Sequence, residues 1–143
     1  MRAPKFLAAG IALSAALVGS AVVGQADPAQ AAYPTQNFQV NGLYNLPDNG
    51  STDGTITWYN RTANVKGAVW SSYTAGSVTV HFDAFAGSNL IDPQTRTYGG
   101  GPLNGYMPFN FPIGDSDLPG GINRIRITVC ADGVCGKQAN YSK

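Results

Sequence analysis

Ser77-Val78-Thr79-Val80-His81-Phe82-Asp83-Ala84-Phe85 is the stretch whose reading decides the fold. Successive side chains of an extended chain point to opposite faces, so Val78, Val80, Phe82 and Ala84 share one side while Thr79, His81, Asp83 and Phe85 share the other. That is the pattern of a half-buried strand, with the first set facing a core. Two further segments repeat it. Between Ile122 and Cys130, residues Ile125, Ile127 and Val129 turn inward and Arg124, Arg126, Thr128 and Cys130 outward. Between Tyr106 and Ile113, residues Met107, Phe109, Phe111 and Ile113 oppose Tyr106, Pro108, Asn110 and Pro112. Three apolar rows of this kind are enough to specify a core between sheets.

Working outward, strands are predicted at Asn37–Asn41, Thr55–Asn60 and Asn64–Trp70, with a shorter return from Val134. The segment Pro47-Asp48-Asn49-Gly50-Ser51-Thr52-Asp53-Gly54 reads as a loop. The chain contains no Glu, Leu is sparse after Val23, and Gly, Asn, Thr, Ser, Tyr and Pro abound, which withholds the best helix formers and favours strands and turns. The expectation is an all-β protein, a single immunoglobulin-like β-sandwich of about seven strands. Pro108 and Pro112 lack N–H groups on the same lateral side of their strand, so that strand is predicted at a sheet edge with that side unpaired.

The amino terminus has its own grammar. Arg2 and Lys5 precede an apolar run from Phe6 to Val23, and Ala29-Gln30-Ala31 supplies small residues for cleavage, which reads as a secretory signal peptide over residues 1–32. Residues 33–143 are then one secreted domain. In that part Arg61, Lys66, Arg96, Arg124, Arg126, Lys137 and Lys143 balance Asp48, Asp53, Asp83, Asp92, Asp115, Asp117 and Asp132. A neutral surface argues against nucleic acid as a partner and, once the leader is gone, against a membrane surface.

Cys130-Ala131-Asp132-Gly133-Val134-Cys135 is the sharpest local signal. Asp-Gly suits a two-residue hairpin turn whose central positions need positive φ, which sets Cys130 opposite Cys135 in a non-hydrogen-bonded pair. At that separation, in an oxidising compartment, the two form a disulfide. The same register sets Thr128 opposite Lys137 and Arg124 opposite Tyr141, where a cation–π contact is expected.

The inventory for catalysis is thin. His81 is the single histidine, with Asp83 on its face, but no Gly-x-Ser-x-Gly elbow supplies a nucleophile, and the pair reads as surface residues of a strand. Asp48 to Gly54 and Asp115-Ser116-Asp117 offer oxygen ligands without EF-hand spacing or a closing Glu, so turn chemistry accounts for both. Tyr98-Gly99-Gly100-Gly101-Pro102-Leu103-Asn104-Gly105 lacks the context of a phosphate cradle and reads as a long connection. Asn49, Asn60 and Asn140 begin Asn-x-Ser/Thr triplets. No catalytic residue, cofactor or metal is expected.

The aromatics are more suggestive. Trp58, Tyr59, Trp70, Tyr73, Tyr98 and Tyr106 are many for so short a chain, and exposed rings can stack on sugar faces. Alternation turns Trp58 inward with Ile56. Trp70 lies opposite Val65, Gly67 and Val69 and is the better candidate for exposure. Trp70, Tyr73 and Tyr98 are therefore the candidate ligand-binding residues.

With its Ala- and Gly-rich leader and the run Gly-Gly-Ile-Asn-Arg-Ile-Arg-Ile-Thr-Val-Cys from Gly120 to Cys130, the chain resembles small secreted proteins of actinomycete bacteria with an immunoglobulin- or fibronectin-like outline. The resemblance implies secretion and a β-sandwich and supplies no site. The Cys…Trp…Cys signature of antibody domains is absent. Three functions fit these features: a non-enzymatic extracellular domain binding a protein or a cell-envelope partner, a carbohydrate-binding module using exposed aromatics, and a secreted enzyme inhibitor presenting the Tyr98–Gly105 loop.

Overall fold

Nine strands form among the residues described by the computed structural model, 33–42, 50–71, 76–99, 101–102 and 104–143. They are β1 (Thr35–Asn41), β2 (Ser51–Trp58), β3 (Thr62–Trp70), β4 (Ser77–Ala86), β5 (Asn89–Gly99), β6 (Tyr106–Gly114), β7 (Arg124–Ala131), β8 (Val134–Cys135) and β9 (Ala139–Ser142). One antiparallel sheet has the order β1-β2-β3-β6. The other has β5-β4-β7, with β8 and β9 both pairing with β7. Packed together they make a β-sandwich of seven longer strands and two short ones. The chain changes sheets after its third strand, whereas a constant-type immunoglobulin domain changes after its second. The leader expected at residues 1–32 lies outside the described residues.

The inward rows are buried as alternation requires. Val78, Val80, Phe82, Ala84, Ile125, Ile127 and Val129 are fully shielded, with Phe109, Phe111 and Ile113 facing them from β6. At the centre Phe82 meets Phe38, Phe109 and Phe111 with ring centroids 6.2, 5.2 and 5.3 Å away. Above this aromatic layer Gly54 and Gly67 are directly opposed between β2 and β3. A Cβ on Gly67 would strike the Asp53 carbonyl oxygen, and one on Gly54 would strike the Lys66 carbonyl oxygen and crowd the Phe38 ring. The two strands approach so closely there that only glycine fits.

The edge expectation for β6 holds. The Ser71 N–H donates to the Gly105 carbonyl at 2.9 Å, which sets the alternation along the β3–β6 ladder. Met107, Phe109, Phe111 and Ile113 exchange backbone bonds with β3, while Tyr106, Pro108, Asn110 and Pro112 direct theirs off the edge.

Three sequence expectations are corrected. The segment read as a loop from Pro47 to Gly54 is strand from Ser51 onward, paired with β1 on one side and β3 on the other. Alternation does not predict strand β5, because its inward positions are Asp92, Gln94, Arg96 and Tyr98 rather than an apolar row. They close the open side of the sandwich. Asp92 accepts the Gly114 N–H at 2.8 Å and the Gln94 amide at 2.8 Å, and the Arg96 guanidinium lies 3.7 Å from the Phe111 ring centroid. Inward charges also make this edge a poor template for further strands.

The third correction concerns the chain end. Between Cys135 and Ala139 the register slips by one residue, so Ser142, not Tyr141, lies opposite Arg124. An unslipped register would have turned Gln138 and Asn140 into the core. With the slip, Tyr141 packs inward against Phe38 with ring centroids 6.1 Å apart, and Arg124 lies instead over Phe85 at 4.3 Å. On this side of the sandwich Trp58 Nε1 donates to Gln36 Oε1 at 3.1 Å, and Gln36 Nε2 donates to the Ser142 carbonyl at 2.9 Å, tying the two sheets together.

The hairpin signal is met. Asp132 and Gly133 have φ of 47° and 84°, and Cys130 and Cys135 are joined by a disulfide. Gly136 N–H donates to the Val129 carbonyl at 2.9 Å, which makes the cysteines a non-hydrogen-bonded pair. The Asp132 carboxylate accepts the Ser77 N–H at 2.9 Å and the Gly76 N–H at 3.2 Å, anchoring the turn to the start of β4.

Candidate functional site

The outward face of the first sheet carries amide and hydroxyl side chains on β1 and β2 and a mixture of aromatic, small and polar residues on β3 and β6. Register places Asn41, Ser51, Trp70 and Tyr106 in one row across the strands, then Gln39, Asp53, Ala68 and Pro108, then Asn37, Thr55, Lys66 and Asn110. Alternation on four adjacent strands produces this surface without any loop. Its end nearest the β3 terminus carries the aromatic pair.

Trp70 and Tyr106 stack with ring centroids 4.9 Å apart and 28° between planes. Both stay accessible, at 39% and 57% of their surface. They meet because a non-hydrogen-bonded antiparallel pair brings its side chains close. Because β6 is an edge strand, no further strand stands beside Tyr106 among the described residues. On its other flank, Trp70 Nε1 donates to Asp53 Oδ1. The indole is therefore held from β2 and from β6 at once.

Beside this pair, an open depression of about 600 Å³ lies along β1 and β2, lined by Asn37, Phe38, Gln39, Asp53, Gly54 and Thr55. Asp53 is common to the depression and to the Trp70 hydrogen bond. The chemistry on offer is amide and hydroxyl exchange, one carboxylate and two flat rings. Such groups can exchange hydrogen bonds with hydroxyl groups and stack on flat apolar faces.

The remaining candidates fall elsewhere. Trp70 is exposed, as alternation predicts. Tyr73 lies outside the described residues. Tyr98 is half-buried on β5, packed against the core, with its hydroxyl donating to the Pro102 carbonyl at 2.8 Å. The connection after it folds back on the same atom, since Gly105 N–H also donates to the Pro102 carbonyl at 3.1 Å. Tyr106 is the residue that sequence reasoning missed. Its outward orientation was legible, but its partner was visible only through the β3–β6 register.

His81 stands on the outer face of the second sheet, between Thr95 of β5 and Thr128 of β7. Asp83 is taken by Arg126, at 2.8 Å between Oδ2 and Nη2, and the Arg126 guanidinium also lies 4.9 Å from the Phe85 ring centroid. Asp115 accepts the Asp117 N–H at 2.8 Å, the turn chemistry its sequence suggests. Among the described residues no three His, Cys, Asp or Glu side chains cluster as metal ligands would. Another exposed aromatic pair, Tyr33 and Tyr59, meets edge-to-face at 88° and so offers no continuous flat surface.

No protein-family model matches this chain, and no curated protein or solved structure is significantly similar to it.

Proposed function

We propose that this protein is a secreted, non-enzymatic binding module that holds a cell-envelope polysaccharide on the outer face of its first sheet. One observation carries the reading: two accessible rings, Trp70 and Tyr106, stacked and fixed at the end of a surface of amides and hydroxyls. The flat apolar side of a pyranose stacks on such rings, while its hydroxyl groups exchange hydrogen bonds with the polar neighbours. Secretion rests on the leader grammar of Met1 to Ala31. The absence of catalysis rests on how the carboxylates are used, with Asp53, Asp83, Asp92 and Asp132 each bonded to a structural partner.

A panel of washed cell walls, chitin, cellulose and xylan tests this directly. Saturable depletion of the protein by at least one polymer, lost in Trp70→Ala, supports it. Hydrolysis of any of these polymers that disappears in His81→Ala overturns it.

A protein partner is the second reading, and β1 favours it. Trp58 N–H donates to the Pro34 carbonyl and Gly42 N–H to the Gly50 carbonyl, so the intervening backbone groups of Thr35, Asn37 and Gln39 point off the sheet edge. No proline interrupts that edge, unlike β6, and an extended segment of a partner can add a strand there. Thr35→Pro, outside the depression, removes such binding and spares depletion by a polysaccharide.

A further inference from the structure

The stacked rings occupy one corner of the binding face, and the depression runs from Asp53, beside Trp70, to Asn37 and Gln39 on the far strand. Tyr106 is on β6 and Asn37 and Gln39 are on β1, with β2 and β3 between them. At about 4.8 Å per strand the two ends are about 14 Å apart, more than one sugar ring covers. The ground between them is low, because Ala68 and Pro108 follow Trp70 and Tyr106 along β3 and β6.

Charge narrows the ligand further. Asp53 and Lys66 are the two charged side chains that alternation turns onto this face among the described residues, and they cancel. Asp53 already accepts the indole N–H, and a carboxylate has capacity for more hydrogen bonds. The rest of the depression is lined by uncharged residues, Asn37, Gln39 and Thr55 with Phe38 and Gly54. A polyanion gains nothing here, whereas vicinal hydroxyl groups find both donors and acceptors.

From this we infer that the ligand is a neutral oligosaccharide segment lying across the strands, with one ring on Trp70 and Tyr106 and a later ring in the depression. Asn37 and Gln39 then determine which sugar is taken at the far subsite. The inference rests on the polysaccharide reading above.

The test is calorimetric titration of the wild-type protein with a mono- to hexasaccharide ladder cut from the neutral polymer that depletes it, beside a galacturonic acid ladder. Affinity is expected to rise at least tenfold from monosaccharide to tetrasaccharide. The double variant Asn37→Ala/Gln39→Ala should lose that rise and keep the affinity of the shortest sugars, and Trp70→Ala should lose both. A ladder that is flat in the wild type, or unchanged in the double variant, overturns the two-subsite inference while leaving the polysaccharide reading intact. So does depletion by acidic polymers alone, or galacturonic oligomers binding as tightly as neutral ones. Depletion by no polymer at all removes the polysaccharide reading and this inference with it.

Discussion

The carboxylate of Asp53 accepts the indole N–H of Trp70 across the β2–β3 boundary, while Tyr106 stacks on the indole from β6. A side chain fixed in this way has lost its rotamer freedom before a ligand arrives, which avoids a cost of about 0.5–1.5 kcal/mol on binding. Asp53→Ala is therefore expected to weaken polysaccharide binding between about 2- and 12-fold and to leave the fold intact. Binding isotherms beside a thermal melt check it. Unchanged affinity would mean that the hydrogen bond does not order the platform.

Gly67, like Gly54 opposite it, has no room for a side chain. Because a Cβ there meets the Asp53 carbonyl oxygen and the Gly54 Cα, both of them backbone, the strands must move apart above the Phe38–Phe82 layer. Gly67→Ala should cost about 1–3 kcal/mol, read as a lower urea midpoint at constant m. A neutral substitution would show that β2 and β3 are free to separate.

The disulfide closes a loop of only a few residues, so the chain-entropy account assigns it about 2 kcal/mol. Removing it in Cys130→Ser/Cys135→Ser should lower stability by about that amount in chemical denaturation. The β4–β7 ladder persists without it, so the variant should stay folded at room temperature. Complete unfolding would show that the hairpin nucleates the second sheet rather than stapling it.

On the β5–β6 side, Asp92→Ala leaves the Gly114 N–H without its acceptor and should cost about 1–3 kcal/mol. Arg96→Ala loses the contact over Phe111 and should cost about 0.5–2 kcal/mol. The two residues close the same opening from inward positions on either side of Gln94, which itself donates to Asp92, so a double-mutant cycle should show coupling. Additive losses would indicate independent contacts.

Pro108 and Pro112 act through what they lack. Replacing both by alanine restores two N–H groups along the free side of β6, so self-association on concentration is expected where the wild type stays monodisperse. Light scattering across a concentration series reports it. Identical scattering from both proteins would show that this edge is guarded by something other than proline.

Much of the architecture was legible because it follows a period of two. The rows of Val78–Ala84, Ile125–Val129 and Met107–Ile113, the edge position of β6 and the Cys130–Cys135 hairpin all follow from local rules. What escaped is governed by pairing between distant segments. Strand β5 carries polar residues inward because it lies at the margin of the core, where Asp92 accepts the Gly114 N–H and Arg96 covers the Phe111 ring of β6. The slip before β9 is local in sequence, yet it turns Tyr141 inward to a half-buried place beside Phe38 and keeps Gln138 and Asn140 out of the core. Likewise each ring of the platform was visible singly, and only the pairing of β3 with β6 makes Trp70 and Tyr106 one surface.

The most direct measurement is a set of depletion isotherms for the wild type, Trp70→Ala and Tyr106→Ala on washed cell walls, chitin, cellulose and xylan. Saturable wild-type depletion by at least one polymer, weakened at least tenfold by either substitution while both variants remain folded, is the predicted result. Depletion that both variants retain in full, or a wild type that no polymer removes from solution, would contradict the account.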